Sequence, residues 1–202
     1  MTQLSLLIYG NPMLDRKEQI LDVAGDLLQT RSFSAFSYQD ISDRIGISKA
    51  SIHHHFPTKD DLGKALAVRY RISQKNALEE ISRRYDRPWD QLDAYIAMTA
   101  DIIKSGNKIC PVGSLQAEHN IISKDMQEEL NHLCDLNQSW LAGVLNEGRK
   151  KGIMTFPGTS EDQAALIQAA IQGALQNARA EGPKQFSAVI RQLKNSMKGK
   201  GG

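Results

Sequence analysis

Three consecutive histidines, His53, His54 and His55, sit inside GISKASIHHHFPTKDDL at residues 46–62, and Cys110 and Cys134 are the only thiols of the chain. Clustered histidine points first to a metal, and a thiol beside a cation points first to a nucleophile. Each depends on the element that carries it. Ile52 and Phe56 stand four apart, as on the inner side of a helix running from Lys49 to Phe56. On a helix, successive side chains diverge by about 100°, so the three imidazoles cannot converge on one ion and no metal ligand is assigned. His53 and His54 are left to hydrogen-bond, and His55 packs beside Phe56.

Cys110 lies between Lys108 and Pro111. Proline suits the first position of a helix, which sets the sulfur at a helix start near an ammonium; both features favour the thiolate. A cysteine-dependent transferase would also need a base. His119 falls on the opposite side of any helix shared with Cys110, and no glycine-rich phosphate loop or metal-spaced cluster offers another start. No catalytic residue or cofactor is expected, and the chain is taken not to be an enzyme. A cysteine-dependent helical enzyme and a helical adaptor dimer without DNA binding stand as the alternatives. Cys134 shares an apolar face with Leu130 and Leu141 and is expected in the core.

The elements that would position these residues are helical. The chain has 202 residues, 41% of them apolar, enough for a core, and its apolar residues recur at three- and four-residue steps. An all-α fold of about nine helices is expected, with a small head and a larger body. No run approaches the roughly 20 apolar residues of a membrane span, and MTQLSLLIYGNPML has no basic leader. Two cysteines do not make a disulfide scaffold, so a reducing cytoplasm is expected and a membrane is not. The net charge is only +2, and residues 1–60 hold six Lys/Arg against seven Asp/Glu. Any nucleic-acid footprint must then be local.

In the head, Ile20, Leu21, Ala24, Leu27 and Leu28 mark a first amphipathic helix over 15–30, with Phe33 and Phe36 as core plugs behind it. Ser37 and Asp40 form a capping pattern for a short helix from Tyr38 to about Arg44 with Ile41 and Ile45 inward. Gly46 suits the left-handed closing position and Ser48 the next cap, so the two short helices form a helix-turn-helix. Pro57 ends the third helix, and Thr58 with Asp61 opens a fourth.

This arrangement, in FSYQDISDRIGISKASIHHHF followed by PTKDDL, resembles the TetR family of transcriptional regulators over residues 15–62. The resemblance implies that Ser37 and Tyr38 touch the DNA backbone and that Lys49, Ala50 and Ser51 enter the major groove. Ser48 and Thr58 lie at the same surface, and Lys59 would hold a phosphate at its helix start. Family members usually carry tyrosine at the position of His53, so here an imidazole stands in for a phenol, with His54 beside it. Four domains follow: an arm (1–14), the helix-turn-helix DNA-binding domain (15–60), a helical ligand-binding and dimerisation domain (61–198) and a tail (199–202).

The body begins with a long helix from Asp60 to about Tyr85, followed by helices from Pro88, from about Ser123 to Lys151, from Ser160 to Ala180 and from Pro183. AALIQAAIQGAL is apolar nearly all round, and such a helix needs cover on both sides. A homodimer through residues 160–198 is therefore expected, and two-fold symmetry makes the operator a palindrome. The family layout implies a ligand pocket lined by Tyr95, Met98, Cys110 and Trp140, although a Met or aromatic at helical spacing is more often simply core. NKICPVGSLQAEHNIISKDMQEEL is also similar to a branch of the family that senses electrophiles or oxidants through a cysteine. Members of that branch can carry a lysine near the end of the penultimate helix, where this chain has Arg179. The expected function is a ligand- or redox-responsive repressor, bound to double-stranded DNA and released by a small-molecule inducer, an electrophile or oxidant among the candidates.

Overall fold

The computed structural model describes residues 15–106 and 108–198; the expected arm and tail lie outside the described residues. Among these it forms nine helices, α1 (Arg16–Arg31), α2 (Tyr38–Ile45), α3 (Lys49–His55), α4 (Lys59–Arg84), α5 (Pro88–Lys104), α6 (Pro111–Ala117), α7 (Lys124–Lys150), α8 (Ser160–Glu181) and α9 (Pro183–Ser196). No strand accompanies them there, only an isolated bridge between Met154 and Lys198. The all-α expectation holds. No described helix is long and apolar enough to cross a membrane.

The helices start where capping side chains meet free amides. Asp15 accepts from the Lys17 amide, Ser37 and Asp40 close a capping box at α2, Ser48 accepts from the Ser51 amide at α3, and Thr159 with Asp162 repeats the box at α8. Gly46 ends α2 at φ +68°, a left-handed conformation in which a Cβ is costly.

The chain divides into two compact units. Among the described residues, one comprises residues 15–71 together with Pro111–Leu130; the other comprises Ile72–Cys110 and residues 131–198. Helices α4 and α7 thus each contribute to both. The first unit buries Ile20, Leu27, Leu28, Ile41, Ile52, Phe56, Leu62 and Leu66 with Leu115, Met126 and Leu130. Each such side chain removed from water contributes roughly 1.5–3 kcal/mol before entropy is counted. This unit is larger than the 15–60 stretch that the motif outlines, because the first half of α4 and the whole 111–130 segment pack into its core. At Gly63 the approach of α7 is so close that a Cβ would lie 2.6 Å from Met126 Cε.

The second unit is centred on Leu92, Tyr95, Ile96, Leu141, Leu145, Ile167, Ile171 and Leu175, with α8 packed along α9 and against α5. Helix α8 buries Ala164, Ile167, Ile171, Ala174, Leu175 and Ala178 on one side. Its other side exposes Ala165, Ala169 and Gly173 around Leu166, which is 55% exposed.

Candidate functional site

Helix α3 is anchored from below and open above. Ile52 is fully buried and Phe56 nearly so, while Lys49, Ala50, His53 and His54 are exposed and Ser51 and His55 half-buried. The rings of His54 and His55 meet edge to face at 5.4 Å, and no group of three potential metal-ligating side chains exists among the described residues.

Much of the charge around α3 is cancelled by ion pairs inside the first unit. Arg31 pairs with Asp40 at 2.7 Å, Arg44 with Asp26 at 2.5 Å and Arg69 with Asp22 at 2.7 Å. Such half-exposed pairs add little stability, about 0–1 kcal/mol each, but they remove both charges from long-range balance. Lys49 has no ion pair among the described residues and stands exposed on the helix.

The ten candidate DNA-contact residues divide into three groups. Lys49, Ala50, His53 and His54 present their side chains outward and Ser51 does so in part. Ser37, Ser48 and Thr58 are exposed but spend their hydroxyls on caps: Ser37 Oγ donates to Asp40 at 2.8 Å, Ser48 Oγ accepts from the Ser51 amide at 3.2 Å, and Thr58 Oγ1 donates to Asp61 at 2.7 Å. At α2 these bonds hold the Asp40 carboxyl below the usual carboxylate range, the Ser37 hydroxyl and amide contributing most and Arg31 less.

Tyr38 and Lys59 turn inward, against the expectation that their side chains face phosphate. The Tyr38 hydroxyl donates to the carbonyls of Phe56, at 2.9 Å, and Thr58, at 2.5 Å, and the residue is only 8% exposed. Burial, with Asp61 and Asp60 adding, pushes its phenol up to about 12. Lys59 Nζ donates to the Phe36 carbonyl at 2.5 Å and lies 4.8 and 4.7 Å from the Phe33 and Phe36 ring centres. Desolvation lowers its pKa, only partly offset by Glu118, Asp40 and Asp60. An ammonium held by two rings and a carbonyl serves the packing of this unit.

The model of the tetR family of bacterial regulatory proteins matches residues 20–66, which span most of α1, the glycine turn, the exposed α3 and the start of α4. A TetR-family transcriptional regulator from Agrobacterium tumefaciens is 32% identical over 90% of this chain and 97% of that one, with a TM-score of 0.85. The chain belongs to the TetR family. It is a DNA-binding regulator of that family, with α2 and α3 as its helix-turn-helix. The HTH-type transcriptional repressor NemR of Escherichia coli K12 is 24% identical over 89% of this chain and 90% of its own. A crystal structure of E. coli NemR in its reduced form shares the fold at a TM-score of 0.81. The nucleoid occlusion factor SlmA of Vibrio cholerae is 20% identical over 82% of this chain and 85% of its own.

The four candidate ligand residues of this TetR-family body all lie in or against the core of the second unit. Tyr95 is buried, with its phenol pushed well above the usual range by desolvation, and its ring lies 5.6 Å from that of Trp140. Trp140 donates its indole N–H to Ser82 Oγ at 2.8 Å, and Met98 is half-buried. Cys110 directly precedes α6 and its sulfur accepts from Gln172 Nε2 at 3.4 Å, while Cys134 is half-buried. A cavity of about 140 Å³ opens elsewhere, between Ile102, Ile103, Lys108, Leu175, Ala178, Arg179 and Pro183. Sequence reasoning did not identify that cavity, because its walls come from three separated segments. Nor did it identify Glu118, whose carboxylate accepts from the Phe33 and Ser34 amides.

Proposed function

We propose that the chain is a repressor that binds a palindromic operator as a homodimer and is released when a small molecule binds its body. Lys49, Ala50 and Ser51 enter the major groove, with His53 and His54 on the flanking phosphates. Ser37, Ser48 and Thr58 take part through their positions at helix starts, where unpaired amides attract phosphate. Tyr38 and Lys59 are reassigned as internal props of that surface. The observation that carries this reading is an exposed α3 bearing Lys49, without an ion pair among the described residues, on a unit whose Arg31, Arg44 and Arg69 are cancelled by Asp40, Asp26 and Asp22. Binding then rests on few cations, each worth about one unit of salt slope.

Dimerisation through residues 160–198 is supported by the outward side of α8, where Leu166 is exposed among small residues. A ligand shifts the equilibrium only if it prefers one of two states of the dimer, and α4, running through both units, is the element that would link ligand binding to the spacing of the two α3 helices. Cys110 is the proposed sensor of an electrophile or oxidant; the NemR relative, crystallised in a form named as reduced, supports that class.

A band-shift titration with DNA flanking the protein's own gene tests all of this. Tight, salt-dependent binding is expected, weakened in Lys49→Ala with a salt slope lower by about one per protomer. Release by a thiol-reactive electrophile in the parent, but not in Cys110→Ser, assigns the sensor. Equal affinity for random DNA sinks the regulator reading.

A further inference from the structure

The single ring of His53 carries an inference beyond its place on α3. Its Nδ1 lies 3.1 Å from the carbonyl oxygen of Pro57, and the ring stands edge to face against Tyr38 at 4.8 Å. A carbonyl oxygen has only lone pairs, so the hydrogen of this bond must sit on Nδ1. In the neutral imidazole Nε2, on a residue that is exposed, is then a bare acceptor. A phosphate oxygen is also an acceptor, and the two repel. Adding a proton to Nε2 turns the same ring, without moving it, into a charged donor bonded at one edge to Pro57 and free at the other to bond a phosphate.

We propose that His53 engages operator phosphate only as the imidazolium, so that each protomer takes up a proton when it binds DNA and the regulator holds its operator more tightly as pH falls through the range near neutrality. The proposal rests on the DNA-binding reading above and names its regulation. Around the ring, α2 supplies Tyr38, whose phenol stays neutral there and whose ring centre lies 4.8 Å away. On α3 itself the neighbouring groups are Lys49, one turn earlier, and His54. The start of α4 supplies Asp60 and Asp61, whose charges act on the Tyr38 phenol, and Lys59, whose ammonium is turned to Phe36. Two carboxylates thus offset two ammonium groups near the site, and the DNA phosphate becomes the decisive charge.

The test is fluorescence anisotropy of the full chain with the duplex flanking its own gene, at constant ionic strength, between pH 6 and pH 8. Loss of one charge-assisted contact across this range weakens binding roughly tenfold per protomer. His53→Tyr, whose hydroxyl donates throughout this range, is expected to bind with no such slope; His53→Gln serves the same purpose if the tyrosine variant does not fold. His132→Gln, at an exposed histidine on α7 away from α3, is expected to keep the parent slope, which separates a proton bound on α3 from protons bound elsewhere on the chain. Calorimetry in two buffers of different ionisation enthalpy should show proton uptake in the parent and not in His53→Tyr. A flat parent profile, or a slope that survives in the His53 variants, overturns the proposal while leaving the regulator intact. A parent that prefers its own duplex over random DNA at no pH removes both.

Discussion

Removing the Glu118 carboxylate is expected to loosen the turn between α1 and α2. That carboxylate accepts from the Phe33 amide at 2.7 Å, from the Ser34 amide at 3.1 Å and from the Ser34 hydroxyl. The residue just before them, Ser32, sits at φ +77° and ψ 165°, a conformation natural to glycine and strained for serine by about 1–3 kcal/mol. Hydrogen bonds to a charged acceptor contribute about 1.5–3 kcal/mol when dry; with two of the three donated from an exposed serine, Glu118→Ala is expected to cost about 2 kcal/mol in all. Native-state hydrogen exchange reads this directly. The Phe33 and Ser34 amides should exchange about 30-fold faster in Glu118→Ala, the fold-change that 2 kcal/mol implies. Ser32→Gly in the Glu118→Ala background should recover roughly 1 kcal/mol by removing the strain that the carboxylate opposes. Exchange at Phe33 within twofold of the parent, or a double variant less stable than Glu118→Ala alone, would refute the idea that this acid holds a strained turn in place.

Three further outcomes follow from the packing and the charges. Gly63→Ala puts a Cβ 2.6 Å from Met126 Cε and 2.7 Å from Phe33 Cζ, and urea denaturation should show about 1–3 kcal/mol lost, with part regained when Met126 is shortened. Tyr38 has a phenol pushed up to about 12 in the folded chain against an ordinary value near 10, so its contribution is complete below pH 10. It is lost as pH rises through 10 toward 12, because the unfolded chain ionises first, by up to about 2–3 kcal/mol; urea midpoints at pH 9 and pH 11.5 should diverge less in Tyr38→Phe than in the parent, the buried Tyr95 phenol accounting for the remainder. Leu166→Glu places a charge on the exposed side of α8, and sedimentation should find the parent dimeric and the variant monomeric, with helix content unchanged.

What was legible in the sequence was whatever is decided within one turn of chain. The capping pairs Ser37 with Asp40, Thr58 with Asp61 and Thr159 with Asp162 act over three residues, and prolines 88 and 183 open helices by their own geometry, so the helix boundaries came within a residue or two. The exposed face of α3 was legible for the same reason, since Ile52 and Phe56 settle which side is buried. The direction of a long amphipathic side chain was not. Lys59 can reach water or the Phe36 carbonyl with equal ease, and the choice is made by two rings more than twenty residues upstream. Glu118 is invisible in the same way, because its partners stand 85 and 84 residues away and a carboxylate after a short helix carries no local signal.

These distant choices decide what the DNA-binding surface can use. Once Asp40, Asp26, Phe36 and the Phe56 carbonyl have claimed Arg31, Arg44, Lys59 and Tyr38, the side chains still offering a donor from α3 are Lys49, Ser51 and the histidines. Of these only a histidine ring nitrogen can turn from a bare acceptor into a charged donor in place. A head with a surplus of fixed cations would barely register one more proton; a head whose fixed charges are internally cancelled makes a single imidazole a large fraction of its hold on phosphate.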